Sequence, residues 1–318
     1  MRKTLTLGLD LGGTKIAAGV VDSSGRLQSA LRIPTPATGV RRDLAALFDA
    51  AHSVVGAAGI PWKSVRAVGV GVPGAFDPKT RTVWAPNLPG WKRVPLASLL
   101  ARGLRKPVFV EGDRNVQALA EAWLVHPRAR NLIFLTVGTG IGAGIIVDGH
   151  VTPGSRGVAG AAGWMGIERE WRPLYARIGC LEALGAGPAV ARLARDAARK
   201  NPHTALRTLL SSGEPLTAEQ VVVAARRGDR IARRVLEEIG TNLGRGVAGM
   251  ISLLNPEVVV LGGGLAGAGR FILDPLRATA RKWGQPLATR QVRIVRSALG
   301  EDAGILGAAR YAFLNLEV

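Results

Sequence analysis

Asp113 is the residue best placed to do chemistry, because it stands where a predicted strand ends and a predicted helix begins. The apolar run 107–110 is typical of a short buried strand, and the spacing of apolar residues predicts a helix over 115–123. In open α/β sheets, ligands bind beyond the carboxyl ends of the strands. Asp113 therefore has two interpretations, a catalytic base or the N-cap of the following helix.

Three glycine-rich loops lie on either side of Asp113 in the sequence, each after a predicted strand. They are Asp10-Leu11-Gly12-Gly13-Thr14-Lys15, Gly138-Thr139-Gly140-Ile141-Gly142 and Gly262-Gly263-Gly264. Glycines let the backbone turn its N–H groups toward a bound anion, so the first two loops favour phosphate binding over plain turns. The first is not a P-loop, because no Gly-Lys-Ser/Thr opens a helix there. The third is compatible with a nucleotide base or ribose, or with a tight strand-to-helix turn.

The elements that position these loops contain a repeat. Strand, glycine loop, strand and Asp turn occur twice at one constant offset. The matching residues are Gly12, Ala17, Val21 and Asp22 in the first copy and Gly138, Ala143, Val147 and Asp148 in the second. The repeat predicts a duplicated domain, with one phosphate loop in each half.

Length and composition restrict the class of protein. The chain has 318 residues, of which 47% are hydrophobic, enough for two globular domains with sizeable cores. No apolar run approaches the ~20 residues that cross a membrane, so no membrane partner is expected. The first strand begins by Leu5, which leaves no room for a signal peptide. The single cysteine, Cys180, fits a reducing compartment, and we expect a cytoplasmic protein.

The formal net charge of +19 comes mostly from arginines dispersed along the chain. Nucleic-acid binders often concentrate such charge on one arm or combine it with aromatic residues, which make up only 5% of this chain. Two interpretations remain open. One is a basic proteome that prefers arginine to lysine, and the other is a polyanionic partner such as polyphosphate, bound in a salt-sensitive way.

Seven motifs, spread over nearly the whole chain, resemble the ROK family (repressor, open reading frame, kinase) of glucokinase-like sugar kinases. The motifs are the three glycine loops together with Val72-Pro73-Gly74, Pro86-Asn87-Leu88, Glu111-Gly112-Asp113 and Gly179-Cys180-Leu181-Glu182. The resemblance implies an α/β, two-lobed, actin-like (ribonuclease H-like) ATPase fold with an internally duplicated core and a central cleft. It places residues 1–114 and 303–318 in a small N-terminal lobe and residues 115–302 in a large C-terminal lobe.

The resemblance also implies transfer of a phosphoryl group from ATP, with Mg²⁺, to a sugar hydroxyl, often the 6-hydroxyl. Asp113 falls on the family's catalytic base, which orients a poorly nucleophilic hydroxyl and takes its proton. The positions that match the metal–phosphate end are Asp10, Gly12, Gly13, Thr14 and Lys15, although Lys15 is equally compatible with a solvated lysine. Those that match the cradle of the other phosphates are Gly138, Thr139, Gly140 and Gly142, while Gly263 and Gly264 lie near the adenosine. The sugar positions are Asn87, Gly112, Asp113, Trp164 and Glu182.

Two partner expectations follow from the resemblance. Members of the family are commonly homodimers, so we expect a homodimer that binds a small-molecule sugar or sugar-like acceptor. The family's repressors carry an added N-terminal helix-turn-helix. Since this chain starts at its first strand, we expect no specific nucleic-acid partner.

The family's zinc motif is degenerate in this chain. That motif is Cys-x-Cys-Gly-x-x-Gly-Cys with an upstream His, and the matching positions here are Pro173, Tyr175, Cys180 and Trp164. One cysteine cannot make a closed four-ligand zinc site. We therefore predict that zinc is not bound, and that Trp164, Trp171 and Tyr175 fill the loop by packing.

Three sugar-contacting positions also depart from the family pattern. Gly112 stands in place of Asn, Ala161 in place of Glu and Trp164 in place of His. A hydrogen bond lost to a hydroxyl that stays buried costs about 1–3 kcal/mol. Either the acceptor differs from glucose, as a larger, modified or less hydroxylated sugar or a cyclitol on the Trp164 face, or neighbouring side chains restore the contacts to an ordinary hexose.

Two alternative functions remain compatible with these motifs. The first is a catalytically weak sugar- or nucleotide-binding protein derived from a kinase, which the altered sugar contacts favour and the retained Asp113 disfavours. The second is a kinase that uses polyphosphate. An actin-like assembly or chaperone ATPase is disfavoured by the set of sugar motifs.

Overall fold

The computed structural model describes residues 3–211 and 215–316, and its strands form two five-stranded sheets and a small two-stranded one. The first half of the chain contains β1 (Leu5–Leu11), β2 (Lys15–Asp22), β3 (Leu27–Pro34), α1 (Val40–Ala57), β4 (Val65–Val72), β5 (Ala75–Asp77), β6 (Thr82–Trp84), α2 (Leu96–Leu104), β7 (Val108–Gly112) and α3 (Asp113–Leu124). The second half contains β8 (Leu132–Val137), β9 (Ile141–Val147), β10 (His150–Val151), α4 (Tyr175–Ile178), α5 (Cys180–Gly185), α6 (Gly187–Lys200), α7 (Ala205–Ser211), α8 (Ala218–Arg226), α9 (Arg230–Leu254), β11 (Val258–Gly262), α10 (Arg270–Trp283), α11 (Pro286–Gln291), β12 (Arg293–Arg296) and α12 (Ala303–Leu316).

The two large sheets have the same strand topology. Their strand orders are β3-β2-β1-β4-β7 and β10-β9-β8-β11-β12. In each sheet, three consecutive strands lie side by side, and two later strands are added in parallel beside the first of the three. The glycine loops at 12–14 and 138–140 occupy the same place, between the first and second strands of their sheets. The predicted internal duplication is thus confirmed.

One face of the first sheet packs on α1 and α2. The core there includes Leu47 of α1, Leu100 of α2 and Trp91, all fully buried. The Trp91 indole nitrogen donates a hydrogen bond of 2.8 Å to the buried Asp43 carboxylate, so neither polar group is left unsatisfied. Full burial of each large side chain stabilises the fold by about 1.5–3 kcal/mol. This core therefore holds β1, which carries Asp10, and β7, which leads into Asp113.

The other face of the first sheet is covered by α12, whose backbone lies directly on two glycines. A Cβ atom at Gly8 of β1 would lie within 3.0 Å of the Ile305 carbonyl, and one at Gly69 of β4 equally close to that of Ala308. The two glycines are paired in register across the strands, so together they form a flat strip for the helix. The last helix therefore packs on the first sheet, as the predicted lobe of 1–114 and 303–318 requires.

The second sheet packs against α9, a helix of 25 residues. Asp229 caps its start, because the carboxylate accepts the backbone N–H of Ala232, and Asn255 ends it in a left-handed conformation with a φ of 43°. A capping box is present at the start of α8, formed by Thr217 and Gln220. Within the described residues, no helix is both long and apolar enough to span a membrane.

The chain divides into two compact units. The first unit is residues 1–130, 144–160 and 298–318, and the second is residues 131–143 and 161–297. The predicted large lobe included residues 115–130, which contain most of α3, and residues 144–160 and 298–302, all of which the structure places in the first unit. In the structure α3 packs on α12, and a Cβ atom at Gly307 would lie within 3.0 Å of the Val116 carbonyl. This contact places α3 with the first unit, while the lobe boundaries stay a prediction.

Candidate active site

Asp10 and Asp113 approach each other around a glycine of the first sheet. Asp10, Gly71 and Glu111 are paired in register on β1, β4 and β7, and Asp113 follows two residues after Glu111. A Cβ atom at Gly71 would lie 3.1 Å from Asp10 Oδ1 and 3.8 Å from the Asp113 Cα. The missing side chain at Gly71 therefore lets the two acidic residues flank one point at the carboxyl ends of parallel strands.

Asp113 is the first residue of α3, and Gly112 occupies the N-cap position. The N-cap interpretation of Asp113 is therefore wrong, and its carboxylate accepts the adjacent Arg114 N–H at 2.7 Å. Burial raises the pKa of Asp113 above its usual value, against the opposing effects of the Arg114 N–H and guanidinium. A carboxylate with a raised pKa is a better proton acceptor than an exposed one.

The Asp10 carboxylate lies in a pocket formed by two glycines. It faces Gly71 on one side, and on the other a Cβ atom at Gly304 of α12 would lie within 3.0 Å of its Oδ2. Burial, followed by the negative charge of Asp113, raises the pKa of Asp10 from 3.8 to about 7, although Lys15 opposes the rise. Two neighbouring carboxylates that disfavour each other's charge are suited to sharing a cation.

The carboxylates of Asp10 and Asp113 suit Mg²⁺ as ligands, but they do not by themselves complete its coordination shell. Asp10 and Asp113 supply carboxylate oxygens, the ligand class that Mg²⁺ prefers. In the described residues there is no group of three or more His, Cys, Asp and Glu side chains arranged to hold a metal. A magnesium ion at Asp10 would thus need oxygens from a bound phosphate and from water, as is usual for this ion.

The first glycine loop is exposed and held by backbone bonds. The Gly12 N–H donates to the Lys15 carbonyl at 2.9 Å, and the Thr35 hydroxyl donates to the Gly12 carbonyl at 2.8 Å. Gly13 and Thr14 form its exposed tip. The half-exposed Lys15 ammonium pairs with the exposed Glu301 at 2.8 Å. Its contact with phosphate stays a prediction.

The second glycine loop is held by Glu182. The Glu182 carboxylate accepts the Ile141 N–H at 2.7 Å, and a Cβ atom at Gly140 would lie 2.8 Å from Oε2. The Gly138 carbonyl accepts the Gly187 N–H at 2.8 Å, which ties the loop to the start of α6. Burial raises the pKa of Glu182, and the Ile141 N–H opposes that rise. Glu182 therefore has a structural role in the loop besides the predicted sugar contact.

The remaining loop positions lie in the same unit. Thr139 is exposed at the tip of the second loop, and Gly142 is buried in β9. Gly263 and Gly264 follow β11, which pairs in parallel with β8. Gly263 adopts a φ of 80° against the Val137 backbone, a conformation that suits glycine. The second and third loops thus stand side by side at the ends of neighbouring strands.

The predicted sugar positions differ in exposure. Asn87 is exposed in a turn that the Leu88 N–H closes on the Ala85 carbonyl at 3.0 Å. Gly112 is buried with a φ of −62° and a ψ of 142°, and a Cβ atom there would meet its nearest neighbours only at 3.8 Å. Trp164 is 57% exposed. A Cβ atom at Gly112 would therefore fit beside Asp113 without a clash, and Trp164 presents an exposed aromatic face.

The region that matches the zinc motif is packed by a small apolar cluster. Tyr175, Cys180 and Ala183 are buried together, and the Cys180 sulfur accepts the Ile167 N–H at 3.5 Å. Burial and the neighbouring Glu168, which accepts the phenol's hydrogen bond, raise the pKa of Tyr175 to about 12. The predicted filling by Tyr175 is confirmed.

The predicted filling by Trp164 and Trp171 is wrong. The two indoles are 57% and 69% exposed, so neither of them packs inside the loop. The small cluster around Cys180 contains neither indole.

Sequence reasoning missed the glycines that shape the acidic pair, namely Gly71 and Gly304. A signal existed for Gly304, since it lies in a segment rich in alanine and leucine, 303–316, that favours a helix, where glycine is less favourable than alanine. Gly71 gave no distinct signal, because it alternates with valines as an ordinary buried strand residue would.

The ROK family model matches residues 6–313 of this chain. The chain belongs to the ROK family. A glucokinase from Thermotoga maritima is 34% identical over 312 residues, which cover 97% of this chain and 97% of that protein. A ROK family glucokinase from Streptomyces griseus, solved in complex with glucose and AMPPNP, is 33% identical with a TM-score of 0.81 and covers 98% of this chain and 99% of that one.

A ROK hexokinase from Thermus thermophilus is similar as well. It is 35% identical, with a TM-score of 0.79, and covers 98% of this chain and 99% of that one. The family and the α/β fold class predicted from the motifs are both confirmed by these likenesses. The matches run over nearly the full length of this chain and of the relatives.

Proposed function

We propose that this ROK protein is an ATP-dependent sugar kinase that phosphorylates a hydroxyl, the 6-hydroxyl, of a hexose or modified sugar. The observation that carries the proposal is the carboxylate pair, Asp10 and Asp113, around Gly71 in the first unit. Full-length similarity to glucokinases, one of them solved with glucose and AMPPNP, supports the reaction class. A binding protein without catalysis would have no need of two close carboxylates with raised pKa values.

Asp113 acts as the general base in this proposal. The sugar hydroxyl oxygen forms a bond to the γ-phosphorus, the bond between that phosphorus and the ADP oxygen breaks, and the hydroxyl proton passes to the Asp113 carboxylate. Its raised pKa makes the ionised carboxylate a stronger proton acceptor than an exposed aspartate. Mg²⁺, when bound near Asp10, supplies charge neutralisation for the phosphates.

The glycine loops provide positioning. The exposed tip of the first loop, Gly13 and Thr14, is suited to the metal–phosphate end, where Lys15 is available if it leaves Glu301. In the second unit, the loop at 138–142 is suited to the other phosphates, and the bare backbone of 263–264 to the adenosine. Fixed N–H groups of this kind lower the barrier without further reorganisation.

Several family features belong to the same proposal. The protein forms a homodimer, uses Mg²⁺ as its cation, binds no structural zinc and lies in the cytoplasm. Its small lobe is residues 1–114 and 303–318, and its large lobe is residues 115–302. The small packed cluster around Cys180 supports the absence of zinc, since the loop is held without a metal. The space beside Gly112 and the exposed Trp164 support an acceptor that carries more than the groups of plain glucose.

The test is ATP-dependent phosphorylation of a panel of acceptors: glucose, mannose, fructose, N-acetylated hexosamines, a glucoside and a cyclitol. We expect one acceptor to dominate and Asp113→Asn to lower kcat by about 100-fold or more, the range of general-base catalysis. Asp196→Asn, which changes an exposed carboxylate of α6, is the matched control and should keep full activity. No phosphorylated product from any acceptor, with ATP still bound, would contradict the proposal.

A further inference from the structure

Helix α12 contacts both acidic segments of the first unit through two glycines one turn apart. At Gly304, a Cβ atom would lie within 3.0 Å of the Asp10 carboxylate, with Oδ2 as the nearest atom. At Gly307, it would lie equally close to the Val116 carbonyl, in the first turn of α3, three residues after Asp113. Helix α12 thus contacts the Asp10 side chain at Gly304, and at Gly307 it contacts the backbone of α3, the helix that carries Asp113.

The rest of α12 shows that these glycines are not there for helix formation. Its other small buried residues are alanines, the best helix former, at 303, 308, 309 and 312. Glycine loses more conformational freedom on folding than alanine does, so it is unfavourable inside a helix unless a contact requires it. Here the requirement is visible, because any Cβ atom at 304 or 307 would displace Asp10 or α3.

We propose that Gly304 and Gly307 are positioning residues for phosphoryl transfer. Gly304 sets the place of the Asp10 carboxylate, and Gly307 sets how deeply α3, and with it Asp113, lies against α12. The inference rests on the proposed function, since it assigns both glycines to the geometry of that reaction. A displacement of about 1 Å of a catalytic group lowers a rate by roughly 100-fold, so contacts this close matter for catalysis.

The competing explanation is that both glycines serve packing alone. Gly8 and Gly69 provide a matched comparison, because they press against the same helix from the sheet side without touching either carboxylate. Alanine at Gly8 or Gly69 displaces α12 as alanine at Gly304 does. If the glycines served packing alone, alanine at any of the four positions, 8, 69, 304 and 307, would lower stability and activity in the same proportion.

The experiment is a pair of double-mutant cycles that measure kcat, the KM for ATP and for the acceptor, the Mg²⁺ dependence and thermal unfolding. The variants of the first cycle are Gly304→Ala, Asp10→Ala and both together. We expect Gly304→Ala alone to lower kcat by about 10- to 100-fold, to require more Mg²⁺ and to leave the acceptor KM unchanged. In the Asp10→Ala protein the same change should lower kcat by less than about 2-fold, because the displaced carboxylate is gone.

The second cycle combines Gly307→Ala with Asp113→Asn. Gly307→Ala alone should lower kcat without changing the Mg²⁺ dependence, and it should have little further effect once Asp113 is Asn. Gly8→Ala is the control for both cycles. We expect it to lower the unfolding temperature and to reduce kcat by the same factor in the wild-type, Asp10→Ala and Asp113→Asn backgrounds.

Two results would overturn the inference. One is independent effects of Gly304→Ala and Asp10→Ala on kcat, and the other is a Gly8→Ala protein that loses kcat and needs more Mg²⁺ as Gly304→Ala does. If Gly304→Ala does not fold, Asp10→Ala must restore folding, and its failure to do so also contradicts the proposal. A wild-type protein inactive on every acceptor would refute the kinase function, whereas the unfolding data would still show whether Gly304 acts through Asp10.

Discussion

At the residue scale, Asp10 is held in a site that disfavours its own charge. Burial and the nearby charge of Asp113 raise its pKa to about 7, and among the described residues none donates a hydrogen bond to its carboxylate. A carboxylate kept without donors at the end of a strand is unfavourable for the fold alone. This arrangement is typical of a functional carboxylate whose negative charge is balanced when a cation binds.

Asp10→Asn should therefore stabilise the protein at pH 8 without Mg²⁺. A group whose folded-state pKa is raised contributes stability below its unfolded pKa of 3.8, and this is lost as the pH rises through about 7. Asn stays neutral, so it avoids the loss, which is at most about 4 kcal/mol at about 1.4 kcal/mol per pKa unit. Urea unfolding from pH 5 to pH 8 measures the difference, which should shrink toward pH 5.

Added Mg²⁺ provides the internal control for that measurement. It should raise the stability of the wild type and leave Asp10→Asn nearly unchanged, because a ligand stabilises only the state that binds it. A stability difference that does not vary with pH would show that Asp10 is not the group that titrates.

Gly112 raises a second question at the residue scale. Its backbone conformation is open to any residue, and a side chain would meet only ordinary contacts. Gly112→Asn should fold as stably as the wild type and lower the KM for glucose by about 10-fold, since one restored hydrogen bond is worth about 1–3 kcal/mol. Gly112→Ala is the matched control, because it adds a Cβ without an amide. Equal glucose KM values for the two variants would argue against a sugar contact at this position.

At the element scale, the segment from Trp164 to Gly185 is stabilised by packing and short hydrogen bonds. The Leu181 N–H donates to the Met165 carbonyl at 3.1 Å, and the Ile167 N–H to the Cys180 sulfur. These bonds and the buried Tyr175 hold α4 against α5. We therefore predict that this loop folds without a metal.

Cys180→Ala tests the element directly. The variant should fold, with a loss of about 1–2 kcal/mol from the removed sulfur and its hydrogen bond, and with no change in metal content. Thermal unfolding of the wild type with and without a chelator is the accompanying control, and the two curves should coincide. Stoichiometric zinc in protein purified without added metal would contradict this prediction.

At the scale of the whole molecule, charge is the unusual property. The chain has 42 Lys and Arg against 23 Asp and Glu, so at least 19 cations have no acidic partner of their own. Glu301 also pairs with two cations, Lys15 and Arg32. Uncompensated like charge destabilises a compact state through self-repulsion.

The unfolding temperature should therefore rise by a few degrees when the NaCl concentration increases from about 0.05 M to about 0.5 M, because salt screens that repulsion. Differential scanning calorimetry measures the change. Polyphosphate at matched ionic strength separates the two interpretations of the charge. A rise beyond that of NaCl would indicate a bound polyanion, whereas equal curves would leave only general screening.

Local sequence alone determined much of this protein. The three glycine loops, the strand before Asp113 and the constant offset between Gly12 and Gly138 are short-range patterns, and they sufficed to predict the duplicated α/β core and the family. Each depends on residues within about one strand and one turn, where backbone geometry follows from residue type.

Tertiary structure alone decided the surroundings of those residues. Gly304 meets Asp10 and Glu301 meets Lys15 across nearly the whole length of the chain, and Glu182 reaches Ile141 from a different element. The exposure of Trp164 and the fit of Gly71 between two carboxylates also depend on which elements pack together. Such contacts are fixed by close packing between distant segments, which no periodicity within a single segment records.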